Sequence, residues 1–591
     1  MNAAEVLVDA LERHGVRYVF GIPGHGNTNI LDAIHGSDQI DFMLVRHEQA
    51  AAHIADGYAR VSGQVGVCCS SVGPGAANMI MGIATAMSTS SPVLAIVGAP
   101  IQRWYGRGQL QETSRPDTAP ADQAFMQMLQ PITKRVWSIA DPRTIPIAVR
   151  KAFTAAQVGR PGPVGLEIPW DLQASEVETL PEDPDPFPAR ARPRADAELT
   201  NRAAQLLIDA EFPVIIAGNG ALISGAGEAV AALAESLGAA IASSFVSKGV
   251  VPEDHPLAVG MVGWLGHPVA HELIRERADL ILAVGYRFAD ESTSWWTEGK
   301  PFVPQNRIVQ IDIEAREMGR AGPIELGLEG DALAVVNDLR EAIERLGGRP
   351  SAAADTALIR RAKDAYELEL TPPDATPMEP LRVAEQVRRV VPDDSIISVD
   401  TGNHAHYFAA FYPIRAGGRF LNPGGWTPMG WGPTAIIGAK LAQPDKACVA
   451  VTGDGGFLMV NQEVSTAVEW GLPVVWLVFN NSSLAAIRDG QVADFGGRII
   501  GTEYSVEVDY AELGRALGGE GVRVTSHDEV EDAIGWALDC GKPCVVDLVV
   551  AADAVRPPIA GAWFEPGRGE PPPMPRGSEV RYSAPQPEDS V

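Results

Sequence analysis

The chain has 591 residues, of which 46% are hydrophobic and 21% are charged, and its formal net charge is -28. Because single hydrophobic cores stop growing near about 250 to 300 residues, two or more domains are expected. The negative charge, with no clustered Lys or Arg stretch, argues against a nucleic-acid partner. No run approaches the ~18 uninterrupted apolar residues of a membrane helix, so no membrane partner is expected either.

The N-terminal segment predicts an amphipathic helix with Val6, Leu7, Ala10 and Leu11 on one face. It lacks the basic start and the long apolar core of a signal peptide. The five cysteines lie in or beside apolar stretches and form no CxxC pair, which indicates reduced, buried thiols. We therefore expect a cytoplasmic protein.

Residues 1–172 are predicted to form a first α/β domain. Short apolar runs (YVFGI, FMLV, VGVCC, PVLAIVG and PVGLEI) alternate there with Ala-rich helical stretches. This alternation is typical of a parallel sheet flanked by helices. The next segment, LPEDPDPFPARARPRADAE, is dense in Pro and charge, and residues 173–198 are predicted to be a linker.

The same alternation predicts two more domains. Residues 199–346 contain PVIIAGNG, AAIASS, LILAVG and RIVQIDI, and residues 379–552 contain SIISVD, ACVAVTGDGG, PVVWLVFNN and PCVVDLVV. The polar residues 347–378 between them are predicted to be a second linker. The fold class expected is therefore α/β, with three doubly wound parallel-sheet domains.

The last segment, residues 553–591, is rich in Pro, which can continue neither a helix nor a strand ladder. It forms either a disordered tail or, given the aromatic Trp563 and Phe564, a lid docked over a cleft. The sequence leaves both alternatives open.

Two polar residues mark the carboxyl ends of neighbouring strands in the third domain. Asp454 follows the strand CVAVTG and Asn481 follows VVWLVFN, so a right-handed βαβ unit brings both to one edge of the sheet. Carboxylate and amide oxygens suit Mg²⁺. The glycines of the turn would let backbone N–H groups approach a diphosphate; they are Gly453, Gly455 and Gly456. Taken alone, the motif also fits ordinary turns.

GDG followed by NN at this separation resembles the thiamine diphosphate motif of the enzyme family that includes acetolactate synthase and pyruvate oxidase. VRHEQAAAHIADGYARVSG, SVGPGAANMI, LQETSR, PITKRVW, GRPGPVGLEIPWDLQ and GYRFAD resemble segments of acetolactate synthases and sulfoacetaldehyde acetyltransferases in the same order. The resemblance implies thiamine diphosphate and Mg²⁺ as cofactors, and pyrimidine-binding, central and diphosphate-binding domains in that order. It also implies a carboligase or lyase that makes or cleaves a carbon–carbon bond next to a carbonyl.

The resemblance assigns three catalytic candidates to the first domain. Glu48 matches the glutamate that hydrogen-bonds the aminopyrimidine ring and supports removal of the thiazolium proton. Gln111 and His25 lie on loops expected to face the reacting carbon. Without the thiamine motif, an ordinary acidic residue in the first turn of a helix would be the preferred interpretation of Glu48, and a lone loop histidine is more often structural.

The third domain supplies the cofactor-binding candidates. By resemblance, Asp454 and Asn481 are metal ligands and Ser483 is a ligand through its backbone carbonyl. Asn403 and His404 match, more loosely, residues that hold the diphosphate. Met429 matches an apolar residue that wedges between the two cofactor rings, and its alternative role is core packing.

The central domain resembles the one that binds FAD in acetolactate synthase and ADP in oxalyl-CoA decarboxylase. Its candidate ligand-binding residues are Gly218, Gly220, Arg287 and Asp312, with Asp312 expected near a ribose. An empty, purely structural domain is the alternative. A nicotinamide dehydrogenase is disfavoured because GNGALISG lacks the third glycine of the dinucleotide fingerprint.

Several departures concern substrate choice. Acetolactate synthases usually have GYPGG where this chain has GIPGH, a second Arg after RFDD where it has RFADES, and a Trp in the loop after NN where it has AAIRDGQVADFGG. GHGN with GPGAANMI also resembles cyclic-dione hydrolases, and a tail after the third domain resembles 2-hydroxyacyl-CoA lyases. The leading prediction is an acetolactate synthase-like enzyme acting on a small 2-oxo acid. The alternatives are a 2-hydroxyacyl-CoA lyase, a sulfoacetaldehyde acetyltransferase or a cyclic-dione hydrolase. An alternative of another class is a catalytically silent scaffold or regulatory protein.

The resemblance further implies a homodimer or homotetramer. In this family the cofactor lies between the first domain of one chain and the third domain of another.

Overall fold

The computed structural model describes residues 1–112, 124–178, 191–296, 301–350, 352–366 and 376–554. The predicted tail or lid, with Trp563 and Phe564, lies outside these residues. Among the described helices, none is both long enough and apolar enough to cross a membrane.

The described strands form three sheets of six strands, and every strand pair is parallel. Most strands are buried on both faces and read as continuous apolar runs, as expected for parallel sheets covered by helices. The predicted fold class of three doubly wound α/β units is therefore confirmed.

The first sheet has the strand order β2-β1-β3-β4-β6-β5. Its strands are β1 (Tyr18–Gly21), β2 (Asp41–Leu44), β3 (Gly66–Ser70), β4 (Val93–Ala99), β5 (Arg135–Ser138) and β6 (Val164–Pro169). The surrounding helices are α1 (Ala3–Arg13), α2 (Thr28–His35), α3 (Glu48–Ser62), α4 (Pro74–Asn78), α5 (Ile80–Ser88), α6 (Ala124–Leu129), α7 (Ile145–Gln157) and α8 (Trp170–Gln173). The predicted apolar face of α1 is buried.

The second sheet has the order β12-β11-β10-β7-β8-β9. Its strands are β7 (Pro213–Ala217), β8 (Ala240–Ser243), β9 (Ala258–Met261), β10 (Leu280–Val284), β11 (Arg307–Asp312) and β12 (Leu326–Glu329). Its helices are α9 (Ala197–Asp209), α10 (Asn219–Ser224), α11 (Gly227–Leu237), α12 (Pro268–Glu276), α13 (Asp290–Thr293), α14 (Ala332–Arg345) and α15 (Ala352–Asp364). Helix α15 lies within the segment predicted as the second linker. The order is that of dinucleotide-binding folds, which bind ligands where the strand order reverses, here between β7 and β10.

The third sheet has the order β14-β13-β15-β16-β18-β17, which repeats the pattern of the first. Its strands are β13 (Ile396–Val399), β14 (Arg419–Leu421), β15 (Cys448–Gly453), β16 (Val474–Asn480), β17 (Glu520–Val524) and β18 (Cys544–Val549). Its helices are α16 (Pro380–Val390), α17 (His404–Phe411), α18 (Trp431–Ala442), α19 (Asp454–Val460), α20 (Glu463–Glu469), α21 (Ala485–Asp494), α22 (Tyr510–Ala516) and α23 (His527–Asp539).

The first and third units pack through α3 and α18. A Cβ atom at Gly57 would lie 2.1 Å from the carbonyl oxygen of Ala435, and one at Gly438 would lie 2.0 Å from that of Ile54. These two positions therefore need glycine, because the helix backbones touch. One hydrophobic core, containing for example Phe20 from β1 and Trp476 from β16, accordingly includes residues of both units.

Candidate active site

The carboxyl ends of β15 and β16 bring two predicted metal ligands together. Gly453 on β15 pairs with Phe479 on β16, so the residues that follow the two strands leave the sheet side by side. The backbone N–H of Asn481 donates to Asp454 Oδ2 over 3.1 Å. The predicted juxtaposition of Asp454 and Asn481 is thus present in the fold.

Three backbone N–H groups hold the Asp454 carboxylate. Gly455 donates to Oδ1 over 2.6 Å, and Asn481 and Ser483 donate to Oδ2 over 3.1 and 3.2 Å. The side chain is buried, and burial raises its pKa to about 6 against the opposing effect of these hydrogen bonds. A cation bound here would favour the ionised carboxylate.

The turn after β16 directs further oxygens toward the same place. Asn481 Oδ1 accepts from the backbone N–H of Ser483 over 3.2 Å and from its hydroxyl over 3.0 Å. Ser482 between them has a φ of 52°, a left-handed conformation that reverses the chain. Carboxylate, amide and hydroxyl or carbonyl oxygens form a donor set suited to Mg²⁺.

A cavity of about 220 Å³ lies over this turn. All its described lining residues belong to the third unit or its flanks, between Pro380 and Ala554. They include every cofactor and metal candidate predicted for this domain: Asn403, His404, Met429, Gly453, Asp454, Gly455, Gly456, Asn481 and Ser483. The fold therefore collects into one pocket residues that are spread over about 80 positions of the sequence.

The two loosely matched diphosphate candidates, Asn403 and His404, both line this pocket. His404 Nε2 lies 2.9 Å from the carbonyl oxygen of Asp400, so this nitrogen donates and Nδ1 of the neutral ring is left as an acceptor. Burial lowers the pKa of His404 to about 4. The Asn403 amide donates to Asp489 over 2.8 Å, and its buried Oδ1 has no partner among the described residues. Their role in holding a diphosphate stays a prediction.

Asp400 is a buried carboxylate that holds residues next to the pocket. It is not among the candidates predicted from the sequence. Its carboxylate accepts from the backbone N–H groups of Gly430 and Gly432 over 2.7 and 3.1 Å, and from the Thr452 hydroxyl over 3.2 Å. It thereby fixes the turn that presents Met429 and the end of β15. A signal was available, because Asp400 ends the apolar run SIISVD as Asp454 follows CVAVTG.

The three catalytic candidates lie around one turn, residues 71–75, at the carboxyl edge of the first sheet. Glu48 Oε2 accepts from the Asn78 amide over 2.9 Å, and a Cβ at Gly75 would lie 2.9 Å from Glu48 Oε1. Gln111, with a φ of 63°, packs against Gly73, and its buried Oε1 has no partner among the described residues.

His25, the third candidate, lies in the loop after β1, and its side chain is exposed. Its neighbour Gly26 donates its backbone N–H to the Ser71 hydroxyl over 3.1 Å, which joins the loop to the same turn. The segments that carry Glu48, Gln111 and His25 thus all contact the turn at residues 71–75. Asn78, which holds Glu48, was missed by the sequence reasoning, although it lies in the segment GPGAANMI.

Glu48 and the third-unit pocket of the same chain lie at opposite ends of the α3–α18 interface. Trp431 Nε1, two residues after Met429, donates to Asp56 Oδ2 over 2.9 Å. Glu48 precedes Asp56 by eight residues, which is about 12 Å along a helix axis. Because the pairs of contacting residues run antiparallel, the end of α3 that carries Glu48 lies away from the start of α18, which follows Met429.

Comparison with known proteins agrees with this arrangement. The chain matches the N-terminal TPP binding domain of thiamine pyrophosphate enzymes over residues 1–120, their central domain over residues 200–339, and their C-terminal TPP binding domain over residues 400–548. The chain belongs to the thiamine pyrophosphate enzyme family.

Similar proteins of this family include large subunits of acetolactate synthase. The probable acetolactate synthase large subunit of Methanocaldococcus jannaschii is 36% identical over 568 residues, covering 93% of this chain and 92% of that protein. The large subunits of Corynebacterium glutamicum and Haemophilus influenzae are 33% and 31% identical. Those alignments cover 95% and 93% of this chain and 89% and 94% of the two relatives. The chain is thus an acetolactate synthase-like, thiamine diphosphate-dependent enzyme.

The central unit of this thiamine pyrophosphate enzyme contains a larger cleft, of about 580 Å³. Gly220, Arg287 and Asp312 line it, together with Arg160 from the first unit. The fourth candidate, Gly218, is not among the described residues that line the cleft; a Cβ there would lie 2.3 Å from the carbonyl oxygen of Gly285, which does line it. The cleft opens between β7 and β10, at the reversal of strand order.

Charged side chains in this cleft are close to one another. Burial and the nearby Arg287 lower the pKa of Arg160 to about 10. Burial also raises the pKa of Asp312, whose carboxylate accepts from the backbone N–H of Glu314 over 2.9 Å. Two guanidinium groups and one carboxylate suit a ligand with both phosphate and hydroxyl groups.

Proposed function

We propose that this chain is a cytoplasmic enzyme that uses thiamine diphosphate and Mg²⁺ to make or cleave a carbon–carbon bond next to the carbonyl of a small 2-oxo acid. The convergence of Asp454, Asn481 and Ser483 beside the glycine turn, in one pocket with Met429, carries the proposal. The acetolactate synthase relatives support the 2-oxo acid as substrate class.

The donor set fits the metal and the cofactor. Asp454 Oδ2, Asn481 Oδ1 and the Ser483 carbonyl oxygen would hold Mg²⁺, which also binds phosphate oxygens. Gly453 and Gly455 line the pocket without side chains, so a diphosphate can approach the backbone there. A Cβ at Gly455 would contact Leu484 and Tyr504 at 2.6 and 2.8 Å and narrow the space.

When bound, thiamine diphosphate supplies a carbon nucleophile that adds to a carbonyl and a ring that accepts the electron pair of the bond being broken. Glu48 would hold a proton at the cofactor ring through Oε1, because Oε2 already accepts from the Asn78 amide. Gln111 and His25 belong to loops at the same edge, where the Gln111 side-chain N–H or a His25 ring N–H would donate to an oxygen atom of the substrate.

Glu48 and the metal ligands of one chain lie at opposite ends of the α3–α18 interface, and we infer that they serve different cofactors. We therefore propose that two copies associate, with the first unit of one copy facing the third unit of the other. Exposed apolar side chains on and after α21, a helix whose Ile487 lines the pocket, support this association. They are Ile487, Phe495, Ile500 and Val506.

Mixing two inactive variants tests the shared site. A hybrid of Glu48→Gln and Asp454→Asn chains contains one site with both defects and one site with neither. Random association then restores about a quarter of the wild-type rate, since half of the dimers are hybrids with one intact site each. If each chain carried a complete site of its own, the mixture would stay inactive.

Product identity tests the reaction. Purified protein with thiamine diphosphate, Mg²⁺ and pyruvate is followed by proton NMR, with Glu48→Gln as the control. We expect acetolactate or acetoin, lost in the variant. No turnover of pyruvate despite bound cofactor would contradict the 2-oxo acid assignment and direct the assay to hydroxyacyl-CoA, sulfoacetaldehyde and cyclic diones.

For the central cleft we propose an adenine nucleotide that contains a diphosphate, either FAD or ADP. Arg160 and Arg287 would lie near its phosphates and Asp312 near a ribose. Mass spectrometry and absorbance of the ligand released from purified protein would distinguish the two. A released flavin identifies FAD, and protein that binds neither nucleotide would contradict the proposal.

A further inference from the structure

Glu463, a buried acid in the third unit, contacts the first unit. It begins α20, nine residues after Asp454, and only 1% of its surface is exposed. Its Oε1 accepts the backbone N–H of Arg46 over 2.9 Å, and its Oε2 accepts the Thr466 hydroxyl over 2.8 Å. A carboxylate from the metal-binding unit thus holds the backbone just before Glu48.

The Arg46 side chain strengthens this attachment. Its Nε donates to the Ser465 hydroxyl over 3.0 Å, and its Nη2 donates to Glu469 over 2.6 Å. The segment entering α3 is therefore bound to α20 by three hydrogen bonds from one residue. Two residues later, Glu48 begins α3, capped by the His47 side chain, which accepts the Gln49 N–H.

We propose that Glu463 is a positioning residue for Glu48, acting through the Arg46 backbone of the same chain. The inference rests on the proposed function, in which Glu48 contacts one cofactor and Asp454 binds the metal of another. Because α19 and α20 run from Asp454 to Glu463, each chain then links its own metal site to the neighbouring site that receives its Glu48.

Substitution at Glu463 tests the contact itself. In Glu463→Ala the Arg46 amide loses its acceptor, and hydrogen exchange of the peptide containing residues 44–50, measured without cofactor, is expected to quicken at least about tenfold. Glu463→Gln keeps an acceptor oxygen and should exchange like the wild type. Glu469→Ala removes only an exposed partner of Arg46 and is the matched control.

The same variants have distinct kinetic expectations. A small displacement of Glu48 lowers kcat of Glu463→Ala by about 10- to 100-fold, while the thiamine diphosphate concentration for half-saturation changes less than about threefold. Glu463→Gln recovers most of the rate, and Glu469→Ala stays within about twofold of the wild type. Equal losses of kcat and cofactor affinity would show a structural role and overturn the proposal.

Hybrid dimers locate the effect. In the Glu48→Gln and Asp454→Asn hybrid, the Asp454→Asn chain supplies the working Glu48. Adding Glu463→Ala to that chain should reduce the remaining rate about 10- to 100-fold, whereas adding it to the Glu48→Gln chain should change it less than about twofold. An equal loss in both arrangements, or a loss only in the second, overturns the positioning role. An inactive parent hybrid instead contradicts the shared site, so the two failures are distinguishable.

Discussion

The first and third sheets have the same strand order but present different chemistry at their carboxyl edges. In the third unit the Asp454 carboxylate is buried and accepts three backbone N–H groups, so its position is set by the main chain. In the first unit Glu48 is half-buried and is held by one side-chain amide, from Asn78. The main chain thus fixes the carboxylate at one edge, whereas at the other edge Oε1 of Glu48 is not the acceptor of the Asn78 amide.

The shared strand order determines where the candidate residues gather in each unit. The local backbone then determines how firmly each carboxylate is held. Both edges gather residues after parallel strands, as the shared topology requires. Backbone donors cannot be removed by a side-chain change, whereas a single amide partner leaves Glu48 free to exchange hydrogen bonds. We therefore expect rate effects from the first edge and affinity effects from the third.

Glu48→Gln should have the largest effect. The variant keeps the size of the side chain but cannot hold the same proton, so kcat should fall by about 10² to 10⁴. The affinity for thiamine diphosphate should change less than about tenfold, because Gln can still hydrogen-bond. Steady-state kinetics with a fluorescence titration of the cofactor measures both. A variant that loses affinity as strongly as rate would break the comparison.

Asp454→Asn should reduce Mg²⁺-dependent binding of thiamine diphosphate by more than about 100-fold, because a charged metal ligand is lost. Calorimetric titration with the cofactor at fixed Mg²⁺ measures this. Asp494→Asn, at the exposed end of α21, is the control and should bind like the wild type. Binding within tenfold of the wild type would show that Asp454 is not a ligand.

His53 tests the interface that joins the two units. It is fully buried between α3 and α18, 3.1 Å from the Thr434 hydroxyl, and burial lowers its pKa from the usual 6.5 to about 4. Between pH 6.5 and pH 4, His53 is protonated in the unfolded chain but neutral in the folded chain. The contribution of His53 to the free energy of unfolding is therefore fully present above pH 6.5 and is lost as the pH falls toward 4. From pH 7 to pH 5 this loss is about 2 kcal/mol.

Between pH 7 and pH 5 the free energy of unfolding should decrease in both proteins. The decrease should be about 2 kcal/mol smaller in His53→Gln, which lacks the titrating imidazole. Denaturant unfolding at pH 7 and pH 5 measures the difference. The same slope in both proteins would show that His53 is protonated in the folded state.

Met429 should give the smallest effect. It lines the pocket with its Cε 3.1 Å from where a Cβ at Gly455 would lie, and Asp400 fixes its turn. Met429→Leu conserves volume and should lower kcat by less than about threefold, whereas Met429→Ala should lower it about tenfold. Equal activity of all three proteins would assign Met429 to packing alone.

Strands of the sheet interiors were predictable from sequence, whereas most edge strands were not. The long buried runs of β4 and β16 match PVLAIVG and PVVWLVFNN. Five of the six sheet edges, by contrast, carried no predicted strand; they are β5, β9, β12, β14 and β17. Edge strands such as β5, with no fully buried residue, lack a continuous apolar run, so periodicity does not distinguish them from loops.

The sequence by itself determined the three α/β units, the cofactor family and the pairing of Asp454 with Asn481, because these depend on local patterns and on the handedness of a βαβ unit. Only the tertiary structure decided which groups support them. Asp400, Asn78 and Glu463 act through contacts with residues up to about 420 positions away, as between Glu463 and Arg46. Such contacts form only when sheets and helices pack, so the local patterns that mark Asp400 and Asn78 as candidates do not reveal which residues they contact.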